Sequence, residues 1–121
     1  NYEFLDALGT YHGGSISPGV KMRLEAMHTF TARLPLASPV QDAALIGRNT
    51  ETCLQSGVMN GVIAEINGII EKYRMIYPTL QPILCGGDAH FFENKLKDSI
   101  FVAPDLVLRG LNRILLHNAG F

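Results

Sequence analysis

Tryptophan is absent from this chain, cysteine occurs only twice, and charged residues make up 17% of its 121 positions. Cys53 and Cys85 sit in no CxxC pattern and have no Cys/His spacing around them, which argues against a disulfide framework or a metal site and leaves both as reduced, packed thiols. No apolar run approaches the roughly 18 residues a membrane span needs, and no charged-then-apolar signal peptide opens the chain. A cytoplasmic location without membrane association is the expectation. The formal charge of -1 comes with no basic run to neutralise phosphates, so nucleic-acid binding is not expected. There is no Gly-x-Ser-x-Gly elbow and no Ser or Cys beside a plausible His, which removes the footing for triad hydrolysis. The four histidines, His12, His28, His90 and His117, stand singly, as solvent-facing or structural side chains do.

What is present is a globular composition, 47% hydrophobic, on a length suited to one domain that buries about two thirds of its unfolded surface. The scarcity of charge points to further surface covered by another protein. Alternation at Tyr2-Glu3-Phe4-Leu5-Asp6 and the glycines of Thr10 to Ile16 predict a β-hairpin over residues 2–16. Ser17-Pro18 predicts a helix cap and first turn, with Val20, Leu24, Met27 and Thr31 carrying that helix to Arg33. Pro35 and Pro39 make Leu34 to Gly47 an extended loop, with a brief ordered piece at Ala43 to Ile46.

Asn49 caps the longest helix, which runs to Tyr77 on an apolar stripe of Leu54, Val58, Val62, Ile66, Ile69 and Tyr73. Gly57, Gly61 and Gly68 each cost that helix about 1 kcal/mol relative to alanine, so this small-residue face gains from close approach of a neighbour. Beyond Pro78, Gln81 to Cys85 reads as a strand, Ala89 to Leu96 as a helix and Ser99 to Val102 as a strand. Pro104 opens a last helix whose core side is Leu106, Leu108, Leu111, Ile114 and Leu115. Such alternation predicts an α/β layer with helices against a mixed sheet.

The run Ile83-Leu84-Cys85-Gly86-Gly87-Asp88-Ala89 concentrates the chemistry. Paired glycines let backbone approach a flat ligand or a phosphate, and Asp88 stands where it could cap a helix or accept from a ribose hydroxyl. Gly-Gly-Asp is also a good plain turn, so its weight depends on its company. Asp6 and Asp88 are the carboxylates placed to matter, and neither has a partner set by local spacing.

Taken together, Gly9 to Gly19, Thr31-Ala32-Arg33-Leu34-Pro35, Gly47 to Thr52, Gly57 to Gly61, Cys85 to Ala89 and Pro104 to Leu111 resemble, in order, the C-terminal half of type III pantothenate kinases, the Bvg accessory factor family. The resemblance implies the acetate kinase, sugar kinase, heat-shock chaperone and actin fold. In that fold two ribonuclease H-like halves flank an ATP cleft, and this chain would be the second half. It implies that Gly86, Gly87, Asp88 and Ala89 hold the adenosine side of ATP and that Thr50 contacts pantothenate. It implies a homodimer involving the Gly13-Gly14 segment and the Gly57/Gly61 helix. The reaction implied is transfer of the ATP γ-phosphoryl group to the pantothenate hydroxyl, with Mg2+ on the nucleotide, a monovalent cation (K+ or NH4+) and an aspartate base.

The family's phosphate loops and its base-bearing segment have no counterpart in this chain and would precede Asn1; with no initiator Met, the chain looks cut from something larger and inactive alone. No catalytic residue and no metal ligand is therefore expected within it. Cys85 stands where the family commonly has threonine, which changes a side-chain hydrogen bond and leaves the turn intact. A regulatory accessory module without kinase activity is the alternative, and a generic ATPase-fold domain acting on another small molecule is a third.

Overall fold

The computed structural model describes residues 1–97 and 100–120. Its elements are β1 (Tyr2–Leu5), β2 (Tyr11–Ser15), α1 (Val20–Thr29), α2 (Thr50–Ile76), β3 (Ile83–Leu84), a 3-10 turn (Ala89–Phe91), β4 (Phe101–Val102) and α3 (Leu106–Asn118). The class is α/β, as the alternation predicts. The single mixed sheet does not form: among the described residues β1 and β2 pair antiparallel, while β3 and β4 pair parallel in a separate ladder. The hairpin is drawn onto α2 instead, where Tyr2 donates to Glu65 at 2.7 Å and the Phe4 ring stacks on Tyr73 and Tyr77 at 5.5 and 4.4 Å.

Within the hairpin Gly14 faces Glu3, and a Cβ at Gly14 would stand 1.6 Å from the Tyr2 carbonyl oxygen. No side chain fits there without breaking the pairing. The turn is closed by Asp6, whose Oδ1 accepts from the Leu8 and Thr10 amides at 2.9 and 2.8 Å.

α2 is the axis of the domain. Its start is set locally by a reciprocal cap, in which Asn49 Oδ1 accepts from the Thr52 amide at 2.9 Å and Thr52 Oγ1 accepts from the Asn49 amide at 3.1 Å. Leu54, Val58, Met59 and Val62 of its apolar stripe meet Val20 and Leu24 of α1, Ala37 of the following loop and Phe92 in one buried cluster. The loop has no regular element, and Ala43 to Ile46 makes bends only. It is fastened by α2 side chains: Gln55 Nε2 donates to Ser38 O at 3.1 Å, Ser56 Oγ to Leu45 O at 2.7 Å and Asn60 Nδ2 to Ala44 O at 3.3 Å.

Several boundaries move from their sequence expectations. α1 is capped by Gly19 rather than Ser17, because the Ser17 hydroxyl and the Pro18 carbonyl both accept from the Arg23 guanidinium, at 2.9 and 2.7 Å. The helix stops at Thr29 instead of Arg33, and Thr31 is exposed, its hydroxyl donating to the Met27 carbonyl at 2.5 Å where a continuing backbone amide would bond. The strand expected over 81–85 is two residues long, and so is its partner, whose expected first residue Ser99 lies outside the described residues. The helix expected over 89–96 shrinks to the 3-10 turn, closed by the Phe91 amide donating to the Asp88 carbonyl and the Phe92 amide to the Ala89 carbonyl, both at 3.0 Å, with Phe92 buried in the core and Phe91 packed against it.

The final helix starts at Leu106, two residues after Pro104, and its expected core side is not buried at all. Leu106, Leu108, Leu111, Ile114 and Leu115 are exposed, and α3 has no buried residue. Cys53 and Cys85 are free but exposed rather than packed. No helix is long and apolar enough to cross a membrane among the described residues.

One polar cluster joins hairpin, α1 and α2. Arg23 Nη2 donates to Glu65 Oε2 at 2.5 Å while Tyr2 donates to the other carboxylate oxygen. Burial pushes the Glu65 carboxyl up, but hydrogen bonds from Arg23, Tyr2 and Ser17, with the Arg23 charge, outweigh it and hold its pKa at about 2. Burial and the same carboxylate push the Tyr2 phenol well above its usual range.

Two outcomes are expected. Asn49→Ala removes the α2 cap and lowers unfolding free energy by about 1 kcal/mol, read by denaturant titration. A carboxylate held below its unfolded value stabilises the fold above that value and withdraws the contribution as pH falls, so stability drops between the ordinary value of 4.5 and about 2. Glu65→Gln lowers stability at neutral pH by about 2 kcal/mol and flattens this acid limb, read by thermal denaturation from pH 2 to 7.

Candidate functional site

The turn after β3 has the backbone that its glycines permit. Gly86 has φ +98°, a region side chains rarely adopt, and its amide donates to the Pro104 carbonyl at 3.3 Å across the β3/β4 end. The chain then doubles back, with the Ala89 amide donating to the Gly86 carbonyl at 3.2 Å. A Cβ at Gly86 or Gly87 would meet nothing within 4 Å, so one face of this turn is open to a flat ligand. Asp88 is exposed and precedes the 3-10 turn, yet its side chain makes no capping hydrogen bond; the helix-cap reading of Asp88 therefore fails and its carboxylate is left for other acceptor work. Ala89 is buried and anchors the turn to the core side.

Thr50, the first residue of α2, lies elsewhere. It sits at the edge of an open, mainly apolar groove of about 820 Å³ between α1 and α2, lined also by Met22, Met27, Phe30, Cys53 and Gly57. Among the described residues the Thr50 hydroxyl has no hydrogen-bond partner. Arg23 borders the groove too, but its guanidinium is taken up by Glu65, Ser17 and the Pro18 carbonyl. Gly86, Gly87, Asp88 and Ala89 do not line this groove, so the two sequence-predicted sites are separate surfaces within this chain.

Of the carboxylates singled out, Asp6 proves to be engaged: besides closing the hairpin turn, its Oδ2 lies 2.8 Å from His12 Nε2. The His12 contact and the Thr10 amide hold the Asp6 carboxyl below its usual value, which suits a structural acceptor better than a proton-abstracting base. His28 and His90 face backbone carbonyls, of Leu34 at 2.8 Å and Gly87 at 2.9 Å. No group of three or more His, Cys, Asp or Glu side chains that could hold a metal ion is assembled among the described residues.

Sequence reasoning passed over Arg23, Glu65 and Gln41. Glu65 carried a usable signal, since one carboxylate stands inside the apolar run from Val62 to Ile70 and such a charge needs a partner. Nothing local indicated that the partner would be Arg23.

The sequence model of the family described as Type III pantothenate kinase matches residues 1–72, which include Thr50. The chain is 50% identical over 119 residues to a type III pantothenate kinase of Bacteroides fragilis, an alignment covering 98% of this chain and 49% of that protein. It is 46% identical over 117 residues to the enzyme of Phocaeicola vulgatus, covering 97% and 48%. With the enzyme of Cytophaga hutchinsonii it shares 45% over 115 residues, covering 95% and 49%. The chain thus spans about half the length of the curated relatives it matches. With a family match over residues 1–72 and these identities along nearly its whole length, the chain belongs to the type III pantothenate kinase family.

Proposed function

We propose that this chain is the C-terminal, ribonuclease H-like half of an ATP-dependent kinase that phosphorylates pantothenate to 4'-phosphopantothenate, the first step of coenzyme A biosynthesis. The observation that carries the reading is 50% identity over 98% of the chain to a protein named for that activity. Gly86, Gly87, Asp88 and Ala89 hold the adenosine side of ATP. Support comes from the open glycine face and from an Asp88 carboxylate not used as a helix cap, free to accept from a ribose hydroxyl. Thr50 contacts pantothenate with a hydroxyl that has no other partner among the described residues.

ATP, when bound, supplies the phosphoryl group. This chain's own residues bind and orient, and positioning accounts for much of phosphoryl transfer. The aspartate base and the phosphate loops belong to the other half of the enzyme. Mg2+ on the nucleotide and a monovalent cation, K+ or NH4+, would supply charge neutralisation to the phosphates; among the described residues no cluster of three or more His, Cys, Asp or Glu side chains is assembled to hold either, so their ligands would come from the nucleotide and the other half of the enzyme. The protein works in the cytoplasm as a homodimer, formed through the Gly13-Gly14 segment and the Gly57/Gly61 face of α2. A Cβ at Gly13, Gly57 or Gly61 would meet nothing within 4 Å, which leaves those surfaces open to a partner, whereas Gly14 is already required by the pairing within the hairpin.

In the full-length protein, Thr50→Ala is expected to raise the KM for pantothenate about tenfold, the loss of roughly one hydrogen bond, with the KM for ATP unchanged and Thr50→Ser retaining most of the affinity. Coupled-assay kinetics with both substrates varied check this. The 121-residue chain alone is expected to form no phosphopantothenate, and turnover by it, purified free of host kinase, would refute the half-enzyme reading.

A further inference from the structure

The nucleotide turn is not held by its own sequence alone. Gln41 Nε2 donates to the His90 carbonyl at 3.0 Å, across 49 positions of chain. The His90 ring in turn places Nδ1 2.9 Å from the Gly87 carbonyl. A carbonyl only accepts, so Nδ1 carries the proton of that bond, and both the neutral Nδ1–H form and the imidazolium satisfy it. The ring lies against Phe91, centroids 4.1 Å apart, which restricts its rotation. A second tie runs beside the first, from Lys95 Nζ to Asp42 Oδ1 at 2.8 Å.

Gln41 can serve as an anchor because its loop is itself immobilised by Gln55, Ser56 and Asn60 of α2. α2 also accepts the Lys97 amide through Asn67 Oδ1 at 3.0 Å, on the far side of the turn. Resting on the reading that Gly86 to Ala89 hold adenosine, we infer that Gln41 and His90 are positioning residues for the nucleotide. They orient the Gly87 peptide and index the turn to α2, the helix that carries Thr50. Neither touches the reacting atoms. Glycine at 86 and 87 leaves the backbone there soft, and the two hydrogen bonds supply the rigidity that its sequence lacks.

The test uses the full-length protein, with adenosine and ATP as probes in calorimetric titration and steady-state kinetics with pantothenate varied. His90→Ala and Gln41→Ala are expected to weaken adenosine and ATP binding about fivefold to tenfold, the loss of one oriented peptide contact. The pantothenate KM should stay within about twofold, and the thermal midpoint near wild type, since both side chains are exposed. His90→Asn, whose amide nitrogen stands where Nδ1 stands, restores binding, whereas His90→Gln does not. Wild-type affinity in both alanine variants, or His90→Asn as weak as His90→Ala, overturns the inference. Gly86→Ala, strained at φ +98°, separates the two levels of the argument. If it too leaves nucleotide binding untouched, the turn is not the adenosine site; if it weakens binding while the alanine variants do not, only the positioning role falls.

Discussion

Burial of Val20 and Leu24 against Leu54, Val58, Met59 and Val62 fixes α1 on α2, and the remaining attachments among the described residues that converge on α2 depend on that pair staying together. Once α2 is in place, Glu65 gathers Arg23 from α1 and Tyr2 from the hairpin, Gln55, Ser56 and Asn60 take the carbonyls of the long loop, and Asn67 takes the Lys97 amide. Helix packing carries the apolar free energy, and polar side chains from the same helix set where the other segments lie. A 27-residue helix about 40 Å long can do this because it runs from Thr50, at the edge of the α1/α2 groove, past the aromatic stack at Tyr73.

The two proposed ligand surfaces differ in how they are made. Thr50 owes its place to a local device, the Asn49/Thr52 cap immediately beside it, and it stands on a helix. The Gly86–Ala89 turn follows a two-residue strand and leads into a 3-10 turn, elements too short to be rigid by themselves. Its geometry is borrowed from the loop through Gln41 and Asp42. The α3 face, with Leu108, Leu111 and Leu115 exposed, belongs to neither surface, and in a chain spanning about half the length of its relatives an uncovered amphipathic helix accords with the excess of apolar residues noted in its composition.

Elements governed by neighbouring residues were legible. Asn49 started α2 where expected, Pro78 marked its end within two residues, and the alternation from Tyr2 to Asp6 with the glycines after it gave the hairpin. Elements whose limits depend on distant partners were not. Ser17 has the chemistry of a cap but is spent on Arg23, and the segment from Ala89 closes only a 3-10 turn where a helix to Leu96 was expected. Arg23 with Glu65, and Gln41 with His90, are 42 and 49 residues apart, beyond any spacing rule.

By itself the sequence determined the family and the α/β class, which rest on the order of motifs and elements along the chain, and the start of the central helix and the Gly-Gly-Asp turn, which rest on side chains within one helical turn of one another. Only the tertiary structure decided that the strands form two separate ladders, that Asp6 is engaged by His12, that Cys53 and Cys85 are exposed, and that His90 holds Gly87. The reason is physical: a side chain's local preference names what it can bond, whereas its partner is selected by which surfaces the apolar core brings within 3 Å or so.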